Sequence, residues 1–213
     1  MNDMSNGRFS DVVTDAEELR GIVGEIYPAA VTKVIDHLDE FCVDFIQHAP
    51  FFVIGSGGGE RDVDVSPKGD PAGFVKVLDD KTLAIPDRPG NARMDTFLNV
   101  LDNPRVSMIF LVPGRKDTLR VIGKAQIVRD EALRRSMIEQ GKVPELAMVV
   151  HVERAFFHCA KCMVRSSLWD PKGWPDKSGM QSLGAALVAH SKLKETAQKV
   201  DEVLEEDERE GLY

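Results

Sequence analysis

The sequence predicts a mainly β fold with flanking helices (α+β), an antiparallel barrel or sandwich, and three observations predict it. Six or seven short runs of apolar or alternating residues fall between Phe51 and Glu153. Tight turns rich in glycine, proline and aspartate join most of them, which favours antiparallel pairing over the long crossovers of a parallel sheet. A single helical pattern interrupts the series. The chain of 213 residues, 43% apolar and 29% charged, is long enough to bury a core without disulfides or metals.

The elements follow in order. Met1–Gly7 has the small polar composition of a disordered tail. Thr14, with Glu17 three residues on, reads as the capping box of a helix carrying Leu19, Ile22 and Val23 and stopping near Tyr27-Pro28. A second helix, about Ala29 to Gln47, places Val34, Leu38, Phe41, Cys42 and Phe45 at three- and four-residue spacings. These two helices form an N-terminal arm.

The period then changes. Phe51–Ile54 is a short buried strand, Gly55–Gly59 a turn, and Val63 and Val65 alternate with Asp62 and Asp64 in its hairpin partner. Phe74–Leu78 and Thr82–Ile85 flank the turn Asp79-Asp80-Lys81. Met94, Phe97, Leu98 and Leu101 form the stripe of the mid-barrel helix, ended by Asn103-Pro104. Arg105–Val112 is an apolar strand closed by Pro113-Gly114. Leu119, Val121, Ala125 and Ile127 alternate with polar residues in a long strand, and Val149–Glu153 gives one more. Beyond lie a helix-like Ala155–Ser166, a tryptophan-containing loop Trp169–Pro175 and a last helix from about Leu183 that ends in the acidic run Glu202–Glu210.

Composition excludes several function classes. Lys and Arg number 27 against 35 Asp and Glu, a net charge of −8, so general nucleic-acid binding is not expected. No run approaches the roughly 20 apolar residues of a membrane span. The polar opening Met1–Asp15 shows no apolar leader, and three cysteines with eight methionines suit a reducing cytoplasm.

Gly55-Ser56-Gly57-Gly58-Gly59-Glu60 is not a dinucleotide fingerprint, because Glu60 stands where the third glycine belongs and a strand, not a helix, follows. Cys159-Ala160-Lys161-Cys162 is a lone CxxC without two further ligands in evident register, so no metal site is expected. Asp87-Arg88-Pro89-Gly90-Asn91-Ala92-Arg93-Met94-Asp95 is the stronger constellation. It leaves a strand and opens the mid-barrel helix, where unpaired backbone N–H groups attract a phosphate. Arg88 and Arg93 add forked, charge-assisted donors, and Asn91 adds an amide. The alternative is a surface turn whose arginines pair with Asp87 and Asp95. Ser66-Pro67-Lys68 ends a strand with a hydroxyl, a ladder-breaking proline and a cation that can lie beside a flat, electron-accepting ring.

The stretch Phe51–Asp130 resembles the FMN-binding split barrel of the pyridoxamine 5'-phosphate oxidase-like family. The likeness is carried by residues 65–70, 83–91, 93–96, 103–106 and 118–125, and the run 156–161 with Arg165-Ser166 and Leu168–Pro171 extends it to about residue 171. The resemblance implies a six-stranded antiparallel split β-barrel over residues 49–171, between the arm 1–48 and a C-terminal loop and acidic helix 172–213. It implies a homodimer with FMN in a cleft between subunits and a small-molecule substrate. Arg88, Asn91 and Arg93 would hold the FMN phosphate, and Ser66, Pro67 and Lys68 would lie along the ring. Lys161, Arg165 and Trp169 would approach the flavin from the partner subunit. The function implied is that of a flavin-dependent oxidoreductase; the alternative is a non-catalytic flavin or tetrapyrrole binder on the same barrel. His158 is a candidate proton donor. The chain departs from the founding enzymes in its acidic C-terminal run, which lacks their basic grip on a second phosphate, so oxidation of vitamin B6 is not expected.

Overall fold

The computed structural model describes residues 9–59 and 63–213, so the expected tail Met1–Gly7, Glu60 of the glycine-rich segment and Asp62 of its hairpin partner lie outside it. The chain divides into two units, Met1–Val34 and Ile35–Tyr213. The first holds helices α1 (Ala16–Val23) and α2 (Pro28–Thr32). Asp15, not Thr14, caps α1: its carboxylate accepts from the Glu18 amide at 2.8 Å, and Gly24 at φ 78° ends the helix.

The second unit is built on one seven-stranded sheet. Its strands are β1 (Phe51–Gly57), β2 (Val63–Gly69), β3 (Lys76–Asp79), β4 (Thr82–Pro86), β5 (Arg105–Leu111), β6 (Thr118–Val128) and β7 (Ala147–His158). They are ordered β2-β1-β5-β6-β7-β4-β3, with each neighbouring pair antiparallel. The expected six strands are therefore seven, and the sheet is not closed, since β2 and β3 form opposite edges. Pro67 sits on edge strand β2, where its missing N–H costs no interior ladder bond.

Three boundaries differ from expectation. The helix expected over 29–47 is broken: α3 (Glu40–His48) starts only after Asp39, whose carboxylate accepts from the Cys42 amide at 2.9 Å. Between the pieces Ile35 bridges to Ala155 of β7 through bonds of 3.0 and 2.8 Å, so the backbone there pairs with β7 beyond its ladder with β4. The glycines expected as a turn, Gly55–Gly57, continue β1 opposite Val63–Val65 and Val106–Ser107. Ala155–His158, expected as helix, extends β7 because it pairs with Thr118–Val121; only Lys161–Arg165 is helical, as α6.

Most of the core forms one cluster against this sheet, and Ala84, Ala147 and Met137 form a second, smaller one. Phe52, Ile54, Leu83, Met108, Phe110, Leu119, Val121 and Val150 are sealed from solvent, each worth about 1.5–3 kcal/mol of burial. Phe52 packs 5.0 Å from Phe110 and 5.8 Å from Phe74, ring centre to ring centre. Helix α3 adds Cys42, Phe45 and Ile46, while Phe41, expected in the stripe, is exposed. Helix α4 (Asp95–Asp102) buries Phe97 and Val100 with Thr96 and Asn99; Leu98 and Leu101 face outward, rotating the expected stripe. Helices α5 (Glu131–Arg135), α7 (Leu183–Ser191) and α8 (Ala197–Glu210) complete the unit, so the expected last helix is two. Ser182 caps α7 and Thr196 caps α8. No described helix is long and apolar enough to cross a membrane.

Candidate functional site

Two segments that are distant in sequence converge on one cleft. On β2 the side chains of Asp64, Ser66 and Lys68 share a half-buried face, and alternation turns Val63, Val65 and Pro67 to the exposed one. Strand β4 carries the chain out through Pro86 into Asp87–Asn91, and Ala92–Met94 turn it into α4. Ala92 and Met94 both adopt left-handed backbone, at φ 57° and 58°, costly for residues with a Cβ and seen chiefly where surrounding structure enforces it. Met94 is the N-cap of α4 and brings no capping side chain. The first amides of α4 therefore have no side-chain acceptor of the kind that Asp15, Asp39, Ser182 and Thr196 supply elsewhere. The cleft between these segments has a volume of about 470 Å³ and is walled by Asp64–Lys68 and Asp87–Phe97. That is the size range of small-molecule sites.

The cleft contains six of the nine residues singled out in the sequence: Ser66, Pro67, Lys68, Arg88, Asn91 and Arg93. Lys68 Nζ donates to Ser66 Oγ at 2.9 Å. Burial lowers the Lys68 pKa, against the opposing pull of Asp87 and Asp64, while burial raises that of Asp87, against Lys68 and Arg88. Cation and carboxylate thus share a partly desolvated wall.

The arginines are held by carboxylates. Arg93 Nε donates to Asp95 at 2.7 Å on the surface, the pairing of the surface-turn alternative, and the Arg93 amide donates to Asn91 Oδ1 at 3.1 Å. Arg88 pairs with Asp70 rather than Asp87: Nε donates to Oδ2 at 2.6 Å, and Nη2 donates to the Met137 carbonyl at 2.9 Å. The Asp70 side chain is 2% exposed and that of Arg88 15%. Tyr213 Oη donates to the other oxygen of Asp70. Asp70 belonged to a motif visible in the sequence but had no role there, and Tyr213 carried no local signal at all.

Three expected residues lie elsewhere. Lys161 and Arg165 are exposed on α6, and Trp169 Nε1 donates to the Arg115 carbonyl at 2.7 Å; none lines the cleft of its own chain. His158 ends β7 opposite Thr118, its ring 5.2 Å from that of Phe156, and is likewise outside the cleft. Cys159 and Cys162 are exposed free thiols, and among the described residues no group of three or more His, Cys, Asp or Glu is placed to hold a metal.

Residues 38–159 match the family model described as pyridoxamine 5'-phosphate oxidase. No curated protein matches the chain. Similar solved structures include HupZ of Group A Streptococcus, at 22% identity over 54% of this chain and 88% of that one, with a TM-score of 0.44. General stress protein 26 from Bacillus anthracis is 15% identical over 54% of this chain and 88% of that one, with a TM-score of 0.41. An FMN-binding protein from Syntrophomonas wolfei is 9% identical over 66% and 95%, with a TM-score of 0.41.

Proposed function

The chain belongs to the pyridoxamine 5'-phosphate oxidase family, and on that premise we propose that it is an FMN-dependent oxidoreductase of a small-molecule substrate. The observation that carries the reading is the convergence of Ser66–Lys68 and Arg88–Arg93 on one cleft into which α4 opens without a capping side chain. The residues fit the cofactor. A phosphate needs charge-assisted donors and finds Arg88, Asn91, Arg93 and the first amides of α4. The Arg93–Asp95 pair is 71% and 41% exposed, and an ion pair so open to solvent is weak, so Arg93 can exchange partners.

Bound FMN supplies hydride or electron transfer, chemistry the side chains do not provide themselves. Lys68 holds positive charge on the cleft wall, oriented by its bond to Ser66, where it stabilises negative charge developing on a bound ring. Pro67, which lines the same wall, would limit bending of the strand edge beside a bound ring. Lys161, Arg165 and Trp169 are assigned to the cleft of a second copy, which makes the working unit a homodimer in the cytoplasm.

Titration of the purified protein with FMN and with riboflavin, followed by absorbance and flavin fluorescence, tests the reading. A yellow protein that prefers FMN and is bleached by a reduced nicotinamide, then recolours in air, is expected. A protein that ignores FMN overturns the proposal. One that binds FMN but resists every reductant is a carrier rather than an enzyme.

A further inference from the structure

Arg88 stands between two hollows. On one side Asp87-Arg88-Pro89 wall the cleft described above; on the other they wall a second hollow of about 300 Å³, completed by Lys142–Glu145 and Tyr213. Tyr213 meets Arg88 in two ways. Its ring lies under the guanidinium, 5.5 Å from ring centre to Cζ, and its hydroxyl donates to the Asp70 carboxylate that also accepts Arg88 Nε. These contacts span 143 residues of chain between Tyr213 and Asp70.

We propose that Tyr213 is a positioning residue for phosphate recognition, acting through Asp70 to fix the Arg88 guanidinium in the wall of the cleft. The inference rests on the reading of that cleft as a phosphate-binding site and adds to it a residue from the far end of the chain. A guanidinium carries five N–H donors. Asp70 takes Nε–H and the Met137 carbonyl takes one Nη2–H, so the plane of the group is set by its own chain and its remaining donors stay on the residue that lines the cleft. Without the hydroxyl, the nearly sealed Asp70 loses one of its two side-chain partners and can swing with Arg88. Without the ring, the guanidinium loses the face it rests on. The Asp70 contact also holds the Tyr213 pKa up near 12, so the hydroxyl remains a donor throughout the physiological range. An arrangement oriented before the ligand arrives saves the ordering cost of binding, and the saving applies only to ligands that use Arg88.

The test compares affinities for FMN and riboflavin, which differ by the phosphate alone, across wild type, Tyr213→Phe, Tyr213→Ala, Arg88→Ala and the double variant Arg88→Ala with Tyr213→Ala. Tyr213→Ala is expected to cut the preference for FMN about tenfold while moving riboflavin affinity less than about twofold, with Tyr213→Phe intermediate. In the Arg88→Ala background, Tyr213→Ala is expected to leave FMN affinity unchanged. Should Arg88→Ala not fold, Arg88→Lys takes its place in the cycle. Equal weakening of both ligands, an unchanged preference, or full additivity with the Arg88 variant overturns the positioning role. A wild-type protein that binds FMN and riboflavin alike overturns the phosphate reading itself, and this inference with it.

Discussion

Asn99 on α4 donates its side-chain amide to Ser56 Oγ on β1 at 3.2 Å, and both residues are almost wholly buried. This bond ties the helix that opens into the cleft to β1, the neighbour of the edge strand β2 that forms the other wall. Asn99→Ala strands the Ser56 hydroxyl in an apolar interior, and a loss of about 1–3 kcal/mol in urea unfolding is expected. Adding Ser56→Ala should cost less than the sum of the single changes, because the double variant leaves no unpaired hydroxyl. Strict additivity would mean the two groups do not depend on one another.

Arg93→Ala separates binding from folding. The side chain is 71% exposed and pairs with the surface carboxylate of Asp95, so the unfolding midpoint should match that of wild type. FMN affinity should fall by roughly tenfold to 150-fold. Equal FMN titration curves for the two proteins would remove Arg93 from the phosphate site.

Most strands of the sheet were legible as short apolar runs or by the two-residue period, clearest in Leu119, Val121 and Ala125. The break before α3 was not, since Val34, Leu38, Phe41 and Cys42 keep helical spacing across it; Asp39 capping the later helix and Ile35 pairing with Ala155 decide the matter through space. The cleft followed the same division. Ser66–Lys68 and Arg88–Arg93 are each contiguous, so their chemistry shows in the sequence. The partners of Arg88 come from Asp70, Met137 and Tyr213, and no local pattern links residues 18, 49 and 125 positions away.

The pairing of β6 with β7 depends on the absence of a side chain at Gly123. Here the register shifts, Ile122 facing Arg154 while Gly123 faces Val152, and a Cβ at Gly123 would sit 2.0 Å from the His151 carbonyl oxygen. Because the obstacle is backbone, it cannot rotate away. Gly123→Ala is expected to cost about 3 kcal/mol or more, read from the denaturant midpoint or as insoluble expression. A soluble variant with a wild-type midpoint would show that the bulge relaxes freely.

The three cysteines should divide two to one. Cys42 is buried on α3, and burial, with Asp39 beside it, pushes its thiol up to about 12, so the thiolate that reacts is scarce at pH 8. Cys159 and Cys162 are exposed. A thiol reagent at pH 8 should count two thiols in the native protein and three in denaturant. A native count of three would mean α3 opens on the timescale of labelling.

Asp87 gives the cleft a pH signature. Burial raises its pKa above the ordinary 3.8, so folding favours the protonated acid and the ionised form is penalised. The sign follows from linkage: the folded chain holds this proton more tightly, so the group destabilises increasingly as pH rises from about 3.8 through the elevated folded value. Asp87→Asn should therefore match wild-type stability near pH 3 and exceed it at pH 7. It also removes one negative charge from a wall shared with Lys68 and Arg88, so FMN should bind more tightly at pH 7. Chemical denaturation at the two pH values and one FMN titration measure both effects. A variant less stable than wild type at pH 7 would show that the ionised carboxylate is a needed partner of Lys68, reversing the sign assigned to it here.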